Sequence, residues 1–542
     1  MQEALGHLDR ISHELEGHAL YRWIGASHLK DSRRHYDCFV PLFGFVMSFP
    51  FYNERYLAYG AEEAGHEEGA PLKHAINAHV QEDRTHARLF LADFRKLGLD
   101  ELWGTRRASS LMWALWVSPL LDPGRAVESQ RIQELVGDEA ETPAYRYLHL
   151  EQLEKDGNLL FSATTRKAVQ VMEQTGITPV YFGMHHLERE SGHVGGSESE
   201  QVTFSAEQTQ RALRLVERKH ALSVKMNDFM HQFVQKAEEA GGPGPLLSRE
   251  RTERLRSVRE QLAAYRAGHL PAPAWSPRPA HVTEQGELVA AWERHHADFM
   301  GHPFAELLRN AQGPEAAFAL RCAALLFAPR ISALHAFYLQ DCRVEEPTTG
   351  PGAQTVDFLR RTFSTEAELF FHDWEVLGMD ARIPWKPAEL LEFWFFDKVY
   401  GRPEMEALHE FRRETLRVPN DPLLKYWALL SIHFMSRAFF GHLRALTERF
   451  AANNPVSEPL VYLEGTHHLL YGRMASDWRA PTCPTSLAHL PVTEEQRRAV
   501  SRMMEAFATY GRRQFDNLAR ALTTDRERFS FLRESQDAST FV

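Results

Sequence analysis

The chain predicts an all-α fold, arranged as two tandem helical bundles of about seven helices each. Three observations carry this expectation. Apolar residues recur at spacings of three and four along several long segments, the period of a half-buried helix. Neither an alternating strand pattern nor an Asn-Gly hairpin signal stands out. Four pairs of segments also repeat at nearly one offset, far beyond the period of solenoid units.

The repeat reads as follows. Gly17-His18, Cys38 and Leu42-Phe43 match Gly301-His302, Cys322 and Leu326-Phe327 (301 − 17 = 284). THARLFLADFRKLGLD from Thr85 matches TEAELFFHDWEVLGMD from Thr365 with eight of 16 positions identical (365 − 85 = 280). Val180-Tyr181 followed by His185-His186 matches Val461-Tyr462 followed by His467-His468 (461 − 180 = 281). SAEQ at Ser205 and TEEQ at Thr493 (493 − 205 = 288) are both capping-box helix starts. The expected domains are therefore a first copy over 1–240, a linker over 241–284, a second copy over 285–522 and a polar tail over 523–542. The linker holds AGGPGP, a charged helix over Leu247–Gly268 and the Pro-rich LPAPAWSPRPA.

In chain order, Phe39–Tyr52 (FVPLFGFVMSFPFY) predicts a core helix interrupted by Pro41 and Pro50, too short to span a bilayer. Helical periodicity then covers His74–Leu97, Tyr145–Gln174 and Ser205–Ala237 in the first copy. It covers Val356–Leu377, Leu423–Phe450 and Glu494–Leu522 in the second. Gly98 and Gly378 follow their helices directly, as C-terminal stops.

With 542 residues, two or more domains are expected, and 44% hydrophobic with 25% charged residues is an ordinary globular balance. A net charge of −11 argues against a nucleic-acid partner and leaves no polybasic membrane patch. The N-terminus is polar and helical in pattern, unlike a signal peptide. Four separated cysteines (Cys38, Cys322, Cys342, Cys483) suit buried thiols in a reducing compartment, so a cytoplasmic location is expected.

Chemistry concentrates in the first copy. His186, Glu190 and His193 stand at i, i+4 and i+7, on one face of a helix. In the preceding helices, His79, Glu82, Asp83 and His86 share a face, and Glu151 and Glu154 are three residues apart. Three helices thus bring imidazoles and carboxylates at helical spacing, a mixed set that suits iron or manganese better than structural zinc. The second copy lacks a full set. His86 maps to Glu366, Glu82 to Thr362, Asp83 to Phe363 and Glu154 to Met435. Glu190 maps to Tyr471 or Gly472, and His193 to Met474 or Ala475.

The order and spacing of these residues resemble the heme-oxygenase-like diiron oxidases. Their signature is a carboxylate and a His on one helix, a Glu on the next, and His-x3-Asp/Glu-x2-His on a later one. His186-x3-Glu190-x2-His193 matches the last element, His86 the first His, and Glu154 the single Glu, with Glu151 as its rival. The family's first carboxylate often lies seven residues before the His. His79 stands there, so Glu82 or Asp83 would have to serve. The resemblance covers about residues 10–235, and the second copy in fold only. It implies two heme-oxygenase-like bundles forming an internal pseudo-dimer, with a homodimer of the chain as a further option. It also implies two Fe(II) per chain in the first domain (manganese as the alternative) and O2 as co-substrate. The substrate would be a small amine, amino acid or fatty-acid-like molecule. The outcome would be N-oxygenation, desaturation or carbon–carbon cleavage, typically in secondary metabolism. In this reading Glu82, His86, Glu154, His186, Glu190 and His193 carry catalysis, with His79, Asp83 and Glu151 as further candidate ligands.

Three alternatives compete. The protein is a silent binding or scaffold protein with a vestigial site; or a cofactor-free thiaminase-like enzyme using Cys38; or His18 and His302, each after a glycine, are axial heme ligands.

Overall fold

The protein is described by a computed structural model covering residues 1–26, 29–65, 69–137, 142–190, 202–266, 285–343, 356, 360, 366–417, 421–453, 459–465 and 491–533. The fold is all-α, and no strand occurs among the described residues. Two compact units are present. Unit 1 is Met1–Arg106 with Ser118–Arg249; unit 2 is Arg107–Val117 with Glu250–Val542.

In unit 1 the helices are α1 (Gln2–Leu15), α2 (Ala19–Gly25), α3 (Phe43–Tyr52), α4 (Ala70–Asp83), α5 (His86–Lys96), α6 (Asp122–Val136), α7 (Pro143–Thr175), α8 (Met184–Glu190) and α9 (Ala206–Glu239). The long α7 and α9 form the centre. α1, α2 and α6 pack on α9, while α4 and α8 pack on α7. Ser205 caps α9 through a closed capping box with Gln208. Unit 2 carries α10 (Gly286–Met300), α11 (Pro303–Asn310), α12 (Pro314–Ala336), α13 (Glu366–Val376), α14 (Gly401–Leu416), α15 (Pro422–Asn453) and α16 (Glu494–Leu522). Its pairings follow the same scheme, with α10, α11 and α14 packed on α16 and α15 beside them. Thr493 caps α16 with Gln496 as Ser205 caps α9. By length and composition Pro314–Asp341 is apolar enough to cross a membrane, yet 94% of its most apolar window is buried within the protein.

The helix expected over His74–Leu97 is two helices. α4 ends at Asp83, and Arg84–Thr85 form a turn before α5. Both residues keep right-handed helical dihedrals (Arg84 φ −54, Thr85 φ −91), so the axis is interrupted without a glycine or proline. α5 and α13 end as expected, at Gly98 and Gly378 with φ of +65 each. The Phe39–Tyr52 segment divides at Leu42: a 3-10 stretch over Ser32–Leu42 contains Pro41, and α3 follows with Pro50 inside it. A π-helical turn, Asn53–Leu57, continues α3, and Phe337–Asp341 forms the same turn after α12.

One aspartate per unit ties a helix to a distant loop. Asp93 on α5 accepts backbone N–H groups of Val180, Tyr181 and Phe182 at 2.8–3.1 Å, just before α8. Asp373 on α13 accepts those of Val461 and Leu463 at 2.7 Å.

Arg107–Val117 precedes the end of the first copy in sequence but belongs to unit 2. There Trp116 packs on Trp394 and Phe395, with ring centroids 5.9 and 5.5 Å away. The Ser109 N–H donates to Asp380 at 3.0 Å.

Candidate metal centre

Asp83, the last residue of α4, is the hub of a buried polar cluster in unit 1. His79, one helical turn earlier, places Nε2 2.8 Å from Asp83 Oδ2 and 3.0 Å from Oε1 of Glu154 on α7. His79, Asp83 and Glu154 offer ligand atoms that all lie within 4.8 Å of one another. His86 opens α5 across the turn, with Nδ1 3.4 Å from the other Asp83 oxygen. From the π turn after α3, the Asn53 amide donates to Asp83 Oδ2 at 2.8 Å. The helix interruption at 84–85 lets Asp83 face both histidines from the end of its helix.

His186 completes the group from α8. Its ring meets His86 edge to face at 4.5 Å, and it lies between Tyr181 (4.7 Å, stacked) and Phe161 (4.1 Å, edge-on). His186 Nδ1 lies 2.9 Å from the Tyr181 carbonyl, which only accepts, so Nδ1 is the donor. That tautomer leaves the lone pair on Nε2, the arrangement used by metal-binding histidines. Phe49 stacks on the far side of His86 at 6.0 Å.

Burial works against a charged His79, but the carboxylates of Asp83 and Glu154 overcome it and push the imidazole up to about 11. The ring is therefore an imidazolium. A positive charge between two buried carboxylates marks where a divalent cation fits, in exchange for that proton. Together these side chains offer imidazole and carboxylate donors close enough to hold a metal ion.

The other predicted residues divide. Glu82 is exposed, because one helical step of about 100° turns it away from Asp83, which is 1% exposed. Asp83, rather than Glu82, is thus the buried carboxylate beside His86. Glu151 is buried on the turn of α7 before Glu154; burial raises its carboxyl, and the Tyr147 side chain opposes that through a hydrogen bond. It stands outside the three-residue group. The Glu190 side chain and all of His193 lie outside the described residues. Asn53 had no signal in the sequence, since a side chain following an apolar run carries no spacing rule.

The cluster borders a mostly apolar pocket that is partly open to solvent. His86 and Glu154 contribute to its wall, with Phe45, Phe49, Phe161 and Met226 among its apolar lining. A second buried network joins α3, α7 and α9. Tyr52 Oη lies 2.6 Å from His149 Nε2, and the Lys219 ammonium contacts His149 Nδ1. Burial, reinforced by the charges of Lys219, Arg131 and Arg146, holds His149 well below its ordinary value and keeps it neutral.

Unit 2 lacks this chemistry among its described residues. At the place of His86 stands Glu366, whose carboxyl burial pushes up to about 8 against the opposing charge of Arg330. Met435, fully buried, replaces Glu154. The sequence equivalents of Glu190 and His193 lie outside the described residues, as do His467 and His468. His18 and His302 are helix caps. Nδ1 of each accepts the N–H two residues on (Leu20 at 3.1 Å, Phe304 at 3.2 Å), while Nε2 faces Asp228 at 3.0 Å and Asp516 at 3.2 Å. With both ring nitrogens engaged, neither histidine offers a lone pair to a heme. The Cys38 thiol is fully buried and donates to the His35 carbonyl at 3.3 Å. Burial, with Asp37 adding to it, raises it far above the range of a nucleophilic thiol.

No protein-family model matches the chain, and no curated protein matches it.

Proposed function

We propose that unit 1 is a non-heme diiron oxidoreductase that uses O2 on a small organic substrate. The observation that carries this reading is the buried group of His79, Asp83 and Glu154, with His86 and His186 beside it on the wall of an apolar pocket. A fold gains no stability from several ionisable groups in one dry place unless a cation balances them. His79, Asp83, His86, Glu154 and His186 would hold the metals, with Glu190 and His193 as the further ligands the sequence offers. Bound iron supplies the reduction of O2. The chain does the rest. Asn53 orients the Asp83 carboxylate, and the Tyr181 carbonyl fixes the His186 tautomer. His79 would have to release its proton for its Nε2 to serve as a metal ligand. Phe45, Phe49 and Phe161 keep water from the reacting end of the pocket.

The test is metal content and oxygen uptake. Protein made with iron and handled without oxygen is expected to bind close to two irons per chain and to consume O2 when substrate is added. Binding well below one iron per chain would overturn the proposal.

A second reading has its own observation. His79 carries a proton between two carboxylates, so the triad is already partly neutralised, with one net negative charge left. A scaffold protein with a vestigial site would keep such a triad and bind no iron, so the same measurement separates the two.

A further inference from the structure

Asn53 meets the Asp83 cluster with only half of its amide. It opens the π turn after α3, where its own backbone carbonyl accepts the Ala58 N–H at 2.9 Å, five residues on. Single π turns of this kind occur frequently at functional sites. Asn53 is 1% exposed, and its Nδ2 donates to Asp83 Oδ2 at 2.8 Å. Its Oδ1 is buried and has no hydrogen-bond donor among the described residues. An amide carbonyl buried without a donor loses its water and gains nothing in exchange.

Unit 2 has the same turn without the amide. Phe337–Asp341 is its π turn, and by the local offset Asn53 corresponds to Phe337 (53 + 284 = 337). His79 corresponds to Leu359 (79 + 280 = 359) and Asp83 to Phe363 (83 + 280 = 363). The turn is therefore a property of the fold. The amide is present where the imidazole and carboxylate are present, and absent where they are absent.

Charge explains which half of the amide faces the cluster. Even with a proton on His79, the carboxylates of Asp83 and Glu154 leave the group net negative, and Asp83 Oδ2 lies within reach of both His79 Nε2 and Asn53 Nδ2. That field favours an N–H. A divalent cation held by the same three residues reverses it, because positive charge repels an N–H and attracts a carbonyl oxygen. Oδ1 and Nδ2 are close to one another in size, so a half turn about the last side-chain bond exchanges them. That turn breaks only the bond to Asp83, since no donor among the described residues holds Oδ1. Neutral carbonyl oxygens are good ligands for hard divalent ions such as manganese.

We propose that Asn53 is a further metal ligand, whose amide turns over on loading and brings Oδ1 to the cation held by His79, Asp83 and Glu154. This rests on the metal reading above and adds to it a neutral oxygen from the π turn.

The test uses the full-length protein and Mn(II) alone as the probe, with affinity from calorimetry and a structure of Mn(II)-loaded crystals. Asn53→Leu keeps nearly the same shape without either polar atom and should weaken Mn(II) binding at least about tenfold. Asn53→Asp offers a charged oxygen in place of the turned amide and should bind Mn(II) at least about tenfold tighter than wild type. Its metal-free form should unfold at a lower temperature, because the new carboxylate faces Asp83. A residue that acts only by donating to Asp83 would make both substitutions weaken binding, and that result would overturn the proposal. The crystals separate a ligand from a nearby charge. Oδ1 within bonding distance of the manganese supports the proposal. Manganese at His79, Asp83 and Glu154 with Nδ2 still on Asp83 would sink the Asn53 ligand alone. Wild-type protein that takes up no manganese there would sink the metal reading and this ligand with it.

Discussion

The Asp93 carboxylate accepts the Tyr181 backbone N–H at 2.8 Å, and the Tyr181 carbonyl accepts Nδ1–H of His186 at 2.9 Å. The backbone of one residue, Tyr181, thus links α5 to the candidate ligand on α8. Asp93→Asn leaves its backbone donors poorly matched, so a loss of about 1–3 kcal/mol is expected in denaturant unfolding. Iron affinity should fall by roughly 10–100-fold, the usual cost of removing support behind a ligand. Asp373→Asn should lose similar stability while iron content stays unchanged. A drop in iron in that second variant would place metal in unit 2.

Asp83 and Glu82 make a matched pair of substitutions. Asp83→Asn removes the charge that His79, His86 and Asn53 all face, and iron binding should fall at least about tenfold. Glu82→Gln alters an exposed position and should leave iron content as it was. Equal effects in the two variants would contradict the assignment of Asp83.

His18 and His302 should behave as caps. Replacing either with Ala is expected to cost about 0.5–2 kcal/mol, read as a lower midpoint in thermal unfolding. Hemin titrated into wild-type protein and into His18→Ala should give the same spectrum. A histidine-ligated heme band present only in the wild type would restore the heme reading.

Glu366 sets a pH dependence. Burial, only partly opposed by Arg330, moves its carboxyl from an ordinary 4.5 to about 8 in the folded protein. Between those values the folded chain retains a proton that the unfolded chain has released. The stability contributed by the neutral acid is therefore full below pH 4.5 and is lost as pH rises to about 8. Thermal unfolding of unit 2 should shift down across that window, and Glu366→Gln should flatten the trend. An unchanged slope in the variant would assign the dependence to another group.

Helix type and helix ends were legible because they rest on local rules. The capping boxes at Ser205 and Thr493 and the left-handed stops at Gly98 and Gly378 form as their residues demand. The interruption at Arg84–Thr85 was not legible, since both residues keep helical dihedrals and no punctuating residue is present. The choice of Asp83 over Glu82 followed from which side of α4 meets α7, a tertiary fact that spacing alone leaves open. Asn53 reaches the site from a π turn, for which the sequence has no reliable signature. Arg131 and Ser223 read as ordinary helix residues until α6 and α9 bring them to one cavity wall.

The Arg107–Val117 segment decides how this chain can be divided. A cut in the Gly- and Pro-rich stretch near residue 270 looks safe from composition, yet it would strand Trp113 and Trp116 away from the Phe371, Trp394 and Phe395 rings they pack on. An N-terminal half expressed alone would then carry newly bared indoles and would tend to aggregate. A C-terminal half would be missing a wall of its own interior. Coexpressed halves, by contrast, should find each other through that segment, which makes split-protein complementation the natural way to handle the two copies separately.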